Sequence, residues 1–322
     1  MEADRQIKIK PLENEEAWNL FCSKTDNVVL LPEIRPLAEK VVNECGGLPL
    51  AIITVGRAMR RKDKKELWQH ALTALKGAAP EIRGLERQVF LPLKLSYDCL
   101  EDSKNQSCFL YCSLFPEDYE IDVEDLVTFW AFEERLVNNL NSLEDAKNKG
   151  HDILEKLMDV CLLDQGTRGR SSVRMHDLLR YLAIWITSAS SSSSCLQASK
   201  FLVKAGEGLE KPPEEKMWEG MTKISLMKNQ IAELQMVPNC PDLMTLFLGE
   251  NPRLRTISDS FFRLMPELQV LDLSITGITL GDLKELLDLS QWHRKLARRH
   301  CKPRKAQVPG SVAHRCTSRN PQ

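Results

Sequence analysis

The feature that most restricts the fold of this chain is an apolar pattern that recurs every 22 to 25 residues. The pairs Ile224-x-Leu226, Leu246-x-Leu248 and Leu271-x-Leu273 have the same internal spacing. A period of this length is typical of leucine-rich repeats, in which each unit adds one strand to a solenoid. The alternate leucines then point inward, and we expect the residues between them to face the concave surface. A short solenoid is therefore predicted for residues 221–290.

The residues that precede this repeat are predicted to be mainly helical. Apolar side chains at helical spacing run along residues 33–45, and Gly46 and Gly47 end that helix because glycine tolerates a left-handed turn. Pro49 begins the next helix, where its missing N–H leaves no hydrogen bond unmade. An earlier helix opens at Asn14, next to acidic side chains that favour the positive end of a helix.

A two-stranded wing is predicted to follow the helices in the middle of the chain. Asp122 caps one of these helices, and a later helix over 143–159 leads into the apolar strand CLLD, residues 161–164. The polar stretch QGTRGRSS is a turn, and residues 173–177 return as the partner strand. Asp177 is then expected to be the N-cap of the following helix. Helices followed by such a wing are typical of a winged-helix domain.

Composition argues against a membrane span, a secreted scaffold and a metal site. No run of about 18 apolar residues exists, and the charged N-terminus MEADRQIKIK has no apolar stretch behind it. The ten cysteines are spread along the chain without a CxxC pair, which favours free thiols in a reducing compartment. We therefore expect a cytoplasmic location.

Charge divides the chain into an acidic body and a basic tail. Residues 292–322 hold nine Lys or Arg and no Asp or Glu, so the remainder carries 35 basic and 45 acidic side chains. The tail lacks the leucine period, and we expect it to be unstructured. Serine crowds residues 188–194, where the low complexity indicates a flexible linker.

Four segments match, in order, the motifs of one protein family. They are EEAWNLF, CGGLPLAIITVGRAM, CFLYCSLFPED and VRMHDLLRYLAIWI, with cores at residues 16–21, 45–59, 108–118 and 173–186. Together with the repeats they resemble the plant nucleotide-binding (NB-ARC), leucine-rich-repeat disease-resistance proteins, and the resemblance covers residues 7–285. The cysteine-bearing third segment, followed by Trp130, is similar to the coiled-coil class of that family.

The resemblance implies a multidomain α+β architecture, with an ARC1-like helical bundle and an ARC2-like winged helix followed by a short α/β leucine-rich-repeat solenoid. The implied divisions, in chain order, are a remnant of the nucleotide-binding α/β domain (1–32), the helical domain (33–100), the winged helix (101–187), a linker (188–220), the repeats (221–290) and a basic tail (291–322). Residues 283–289 would be a fourth repeat. The chain would then be an N-terminally truncated form, since the family's phosphate loop lies upstream.

The resemblance also implies a site for ADP or ATP. Gly47, Leu48 and Pro49 would lie against the adenine, because an apolar loop with a rigid ring suits the face of a base. His176 would donate a hydrogen bond to the β-phosphate of ADP. Each motif alone has a plainer interpretation: the Gly-Leu-Pro loop as a turn between helices, and Met-His-Asp as a strand end before a cap.

The phosphate-binding half of such a site does not occur in this sequence. It contains no G-x-x-x-x-G-K-[ST] motif and no Gly-Lys dipeptide. An adenine face and one histidine supply a few hydrogen bonds of about 0.5–3 kcal/mol each, whereas a millimolar complex needs about 4.1 kcal/mol. We therefore expect weak or no nucleotide binding by this chain, no ATP hydrolysis and no other enzyme activity.

Three functions are compatible with the sequence. The leading one is an innate-immunity receptor or switch module whose repeats bind a pathogen effector or a guarded host protein, with an intact family member as a further partner. The second is a winged-helix protein that binds nucleic acid through the basic tail, but the acidic stretch between Glu117 and Asp125 would repel phosphate. The third is a partial gene product without a function of its own.

Overall fold

The protein is described by a computed structural model that covers residues 10–76, 85–100, 102–133, 142–188 and 200–279. These residues confirm the predicted mixture of helical and sheet structure. In the described part of the chain no helix is both long and apolar enough to cross a membrane. The predicted fourth repeat, the basic tail and the strand expected at residues 7–9 lie outside the described residues.

The first part of the structure, which we call the helical unit, consists of α1 (Asn14–Thr25), α2 (Arg35–Glu44), α3 (Pro49–Ala58), α4 (Lys65–Lys76) and α5 (Leu85–Asp98), with a 3₁₀ turn at Asp26–Leu30. The predicted helix starts at Asn14 and Pro49 are confirmed. Phe21 of α1 and Trp68 of α4 are fully buried and meet edge to face, with ring centroids 6.2 Å apart. Helix α1, which the resemblance assigned to the nucleotide-binding remnant, therefore shares one core with the helices that follow it.

The second part, which we call the winged unit, consists of α6 (Ser103–Cys112), β1 (Ile121–Asp122), α7 (Val123–Phe132), α8 (Leu143–Asp159), β2 (Asp164–Gly166), β3 (Gly169–Arg174) and α9 (Asp177–Thr187). Its antiparallel strands lie in the order β1-β3-β2. The helix predicted at 143–159 is confirmed, and Asp122 caps α7 as predicted, because its carboxylate accepts the N–H of Asp125 at 3.2 Å.

The strand bounds predicted for the wing are wrong. The ladder pairs Asp164–Gly166 with Gly169–Arg174, so most of the polar residues expected to form the turn are in the strands, and residues 167–168 alone form the turn. The apolar Leu162 and Leu163 are instead buried in the core, because the chain turns at Cys161, whose φ is 57°. The apolar residues thus anchor the wing to the core. The sequence prediction placed the strand too early because it took these apolar residues to be part of the strand.

The third part, which we call the repeat sheet, contains the parallel strands β4 (Phe201–Val203), β5 (Lys223–Ser225), β7 (Thr245–Phe247) and β9 (Val270–Asp272), with β6 (Glu233–Leu234) and β8 (Thr256–Ile257) paired beside them. Each repeat of the sequence adds one strand in register, so that Ile224 lies beside Leu246 and Leu246 beside Leu271. The side chains of Ile224 and Leu246 are fully buried, as the pattern predicted.

The repeat sheet begins earlier in the chain than the sequence indicated. Residues 188–220 were expected to form a linker, but Phe201–Val203 form a strand that pairs with Lys223–Ser225. The three residues of this strand are too few to show the alternation of a strand in the sequence. The serine-rich stretch before them led to the prediction of a linker. The linker prediction is therefore wrong for this strand.

Two buried asparagines hold successive turns of the repeat sheet together. Asn251 donates to the carbonyls of Leu226 and Leu248, each at 2.8 Å, and its side-chain oxygen accepts the N–H of Ile231 at 3.2 Å. Asn229 makes the equivalent set of bonds one repeat earlier. Each asparagine follows the second apolar residue of its pair by three positions, so the repeat pattern supplies both the core and its polar partners.

Replacing Asn251 with Ala is expected to lower the free energy of unfolding by about 2 kcal/mol or more, because the Leu248 carbonyl and the Ile231 N–H lose the side chain that bonds them. Urea unfolding followed by circular dichroism measures the change. The control is Asn43→Ala, since Asn43 is exposed on α2. Equal midpoints for the two variants would contradict a structural role for the asparagine ladder.

Candidate functional site

The glycine turn between α2 and α3 packs against the backbone of the segment that precedes α1. Gly46 and Gly47 have φ of 61° and 71°, which confirms the predicted left-handed helix end. The carbonyl of Gly47 accepts the N–H of Leu12 at 2.8 Å. A Cβ at position 47 would lie 2.5 Å from the Leu12 carbonyl oxygen and 2.9 Å from Cβ of Pro11. Only glycine therefore fits this close backbone approach.

The Leu48-Pro49 step lies between two hydrophobic cores of the structure. Leu48 is half-buried against the core of the helical unit, and Leu50 packs against the core that contains the winged unit. Pro49, between them, is exposed. The loop therefore presents the proline ring to solvent while its two neighbours fix its position, an arrangement that leaves one apolar face available.

His176, rather than the predicted Asp177, is the N-cap of α9. Its Nδ1 accepts the N–H of Leu178 at 3.2 Å, while Asp177 is the first residue of the helix. A neutral imidazole that accepts at Nδ1 carries its proton on Nε2. The cap thus leaves an N–H on an exposed ring, and this group can donate to an incoming acceptor. Asp177 adds a negative charge at the positive end of the helix.

A cleft of about 170 Å³ surrounds this histidine, and its lining residues are Asp118, Asp164, Arg174, Met175, His176 and Asp177. Arg174 and the Nε2–H of His176 are possible donors for a phosphate, but the carboxylates give the lining an acidic balance that opposes an anion. Gly47, Leu48 and Pro49 do not belong to this lining, so the structure does not bring the two halves of the predicted site into one cleft. No cluster suited to a metal ion occurs in the described segments.

The winged unit and the repeat sheet share a single core, which the sequence did not predict. The ring of Phe247, on β7, contacts Tyr111, Phe115 and Phe129 of the winged unit, with centroids 5.8, 5.4 and 5.0 Å apart. Phe247 is fully buried, and so is Ser225 on the neighbouring strand. These residues lie between the paired apolar residues and were expected to face the concave surface. The sequence did not predict that the winged unit covers this part of the sheet.

Polar contacts accompany this aromatic packing. The hydroxyl groups of Tyr111 and Thr245 lie 3.5 Å apart, and the Tyr119 hydroxyl donates to the Glu250 carboxylate at 2.9 Å. Both bonds join residues more than a hundred positions apart in the sequence. They fix the orientation of the winged unit on the sheet, which apolar packing alone leaves less defined.

A buried ion pair crosses the same junction. The ammonium group of Lys223, on β5, bonds to the carboxylate of Glu133, which follows α7, and their side chains are only 6% and 8% exposed. The Lys223 nitrogen lies 5.5 Å from the centre of the Tyr111 ring and 5.6 Å from that of Phe201. Burial lowers the pKa of Lys223 to about 7. The carboxylate of Glu133, which is bonded to the ammonium group, favours its charged form.

Comparison with known proteins agrees with the winged unit that the geometry defines. Residues 114–183 match the model of the winged helix domain of disease resistance proteins. The chain is 41% identical over 295 residues to disease resistance protein At4g27190 of Arabidopsis thaliana, an overlap that covers 91% of this chain and 29% of the relative. It is 42% identical over 287 residues to disease resistance protein RPS5 of the same plant, covering 88% of this chain and 32% of the relative.

A third relative, the Arabidopsis disease resistance protein SUMM2, is 40% identical over 276 residues, which is 85% of this chain and 30% of that protein. The chain spans about a third of the length of the curated relatives that it matches. Over most of its length the chain is therefore similar to one part of the disease resistance proteins of Arabidopsis. The predicted resemblance is confirmed at this level.

The close approach at Gly47 can be tested with a matched pair of glycines. Gly208 has the same φ of 71°, but a Cβ there would meet nothing within 4 Å. Gly208→Ala is expected to cost only the backbone strain of about 1–2 kcal/mol, whereas Gly47→Ala adds a clash worth roughly 1–3 kcal/mol more. Urea unfolding compares the two variants. Equal losses would mean that the turn yields to the added methyl group.

Proposed function

We propose that this chain is the winged-helix and repeat-bearing portion of a plant immune receptor that responds to bound nucleotide. The observation that carries the proposal is the shared core around Phe247, which joins the winged unit to the repeat sheet in one closed arrangement. In this proposal the repeat sheet is the beginning of a leucine-rich-repeat solenoid. The names of the relatives, which are disease resistance proteins, support a defence role.

The nucleotide contact in this proposal is made by the Nε2–H of His176. Capping fixes the tautomer, so the ring needs no rearrangement before it donates to a phosphate oxygen of ADP. Pro49, which lies outside the cleft of His176, would offer its exposed ring to the base, with Gly47 and Leu48 shaping the loop. The acidic lining of the cleft weakens this contact and supports the expectation of weak binding by this chain, without hydrolysis.

The partner in this proposal is a pathogen effector or a guarded host protein that binds the repeat sheet. The face that carries Phe247 is already occupied by the winged unit, so a partner that binds this face must displace that unit. A partner that binds elsewhere on the sheet leaves the closed arrangement intact. Recognition and opening would therefore be coupled only in the first case, since only there does the partner have different affinities for the two states.

Replacing His176 with Ser separates its two roles. Serine is a strong N-cap, so the fold should keep its stability, but the short side chain lacks the ring N–H. We expect millimolar ADP to shift amide resonances of residues 174–178 in ¹⁵N-edited NMR spectra of the wild-type chain. The Ser variant should bind ADP roughly 10- to 150-fold more weakly, since a hydrogen bond to a charged group contributes about 1.5–3 kcal/mol.

His176→Ala serves as the control that loses both roles, and it should unfold at lower urea concentration than the Ser variant. Adenosine, which lacks phosphate, should bind the wild-type and Ser chains equally. The same ADP affinity for wild-type and Ser chains, or no shift with ADP at all, would remove His176 from the phosphate contact.

A further inference from the structure

Among the described residues, the ion pair between Lys223 and Glu133 is the one that joins the winged unit to the repeat sheet. The carboxylates of Glu250 and Asp272 also lie close to the junction, near Tyr119 and Tyr111. The two residues of the ion pair are 90 positions apart, and each comes from a different unit. Glu133 is held at the end of α7, since its N–H donates to the carbonyl of Phe129 at 3.2 Å. Lys223 begins β5 and is held by strand pairing on both sides. Separation of the two units would therefore break the ion pair, because each residue is held by its own unit.

The surroundings of Lys223 are largely apolar. Tyr111 and Cys108 approach it from α6, Phe201 from β4 and Glu133 from the end of α7. Burial also raises the pKa of Cys108 well above its usual value, so that thiol is neutral and brings no charge to the junction. Glu133 is therefore the group that compensates the charge of Lys223 in the closed arrangement.

A pair of this kind contributes to closure in an unusual way. Removing two ions from water costs about as much as their attraction returns, so the pair adds little net stability. Removing one partner is costly, because the remaining charge stays buried and uncompensated. The aromatic contacts of Phe247 thus supply the attraction between the units. The ion pair adds a requirement, because the units stay packed together only while both buried charges are present and compensate each other.

We propose that the Lys223–Glu133 pair is a latch between the winged unit and the repeat sheet, which releases the sheet when the two charges are separated or one is neutralised. Apolar residues of similar size at both positions would hold the units together without this condition. The latch needs no nucleotide contact at His176, so it stands or falls separately from the function proposed above.

Buried thiols report release of the latch site by site. Cys108 and Cys112 are buried in the shared core, whereas Cys45 is buried in the helical unit and Cys240 in the repeat sheet. Opening of the junction exposes the first two thiols, and global unfolding exposes all four. The full chain is treated with a maleimide under native conditions, and the labelling rate of each cysteine is measured by peptide mass spectrometry.

The variants are Lys223→Met, Glu133→Gln and the double variant Lys223→Met with Glu133→Leu. Glu133→Gln keeps the size of the side chain and an acceptor for Lys223. This variant is therefore expected to fold, so that its effect reports the loss of charge alone. Each single variant is expected to label Cys108 and Cys112 roughly 100-fold faster than wild type, because one buried charge has lost its partner. The double variant is expected to label them no faster than wild type.

The labelling rates of Cys45 and Cys240 should stay unchanged in all three variants. Single variants that label at the wild-type rate would overturn the latch, since the pair would then impose no condition on closure. Equal acceleration at all four thiols would overturn it as well, because the pair would stabilise the whole fold. So would a double variant that labels as fast as the single ones.

Discussion

The packing of Phe247 among three aromatic rings is the interaction on which the arrangement of the units depends. Its ring lies within 6 Å of rings from the loop and helices of the winged unit, so one side chain joins surfaces that are far apart in sequence. A strand residue between two inward leucines normally faces solvent, and an exposed phenylalanine there would leave apolar area in water. The winged unit removes that area from water, and the hydroxyl pairs of Tyr111 and Tyr119 then orient it.

Local chemistry explains why some of the structure could be predicted from the sequence. The helix at Leu143–Asp159 and the helix start at Pro49 follow from periodicity and from the geometry of proline, which act within a few residues. The inward leucines of the repeat sheet follow from alternation along each strand. In each case the determining residues are neighbours in the sequence, and the predictions were right.

The failures have the opposite origin. The wing was misplaced because Leu162 and Leu163 look like a strand but serve the core. The cap of α9 was assigned to Asp177, the commoner capping residue, although His176 makes the bond. The ion pair of Lys223 with Glu133 left no local signal, since each residue alone is typical of a solvated surface. In the sequence, the aromatic residue Phe247, between Leu246 and Leu248, was a sign that another part of the protein covers this face of the sheet.

The asparagine ladder also determines where the repeats can change length. Asn229 and Asn251 must follow their apolar pairs by three positions to reach the carbonyls of Lys204 and Leu226 in the preceding turn. Thr276 holds the same position in the next repeat. The return segments carry no such constraint, and their lengths already differ between repeats. Insertions and deletions should therefore accumulate in the returns, while the interval from strand to asparagine keeps its length as sequences diverge.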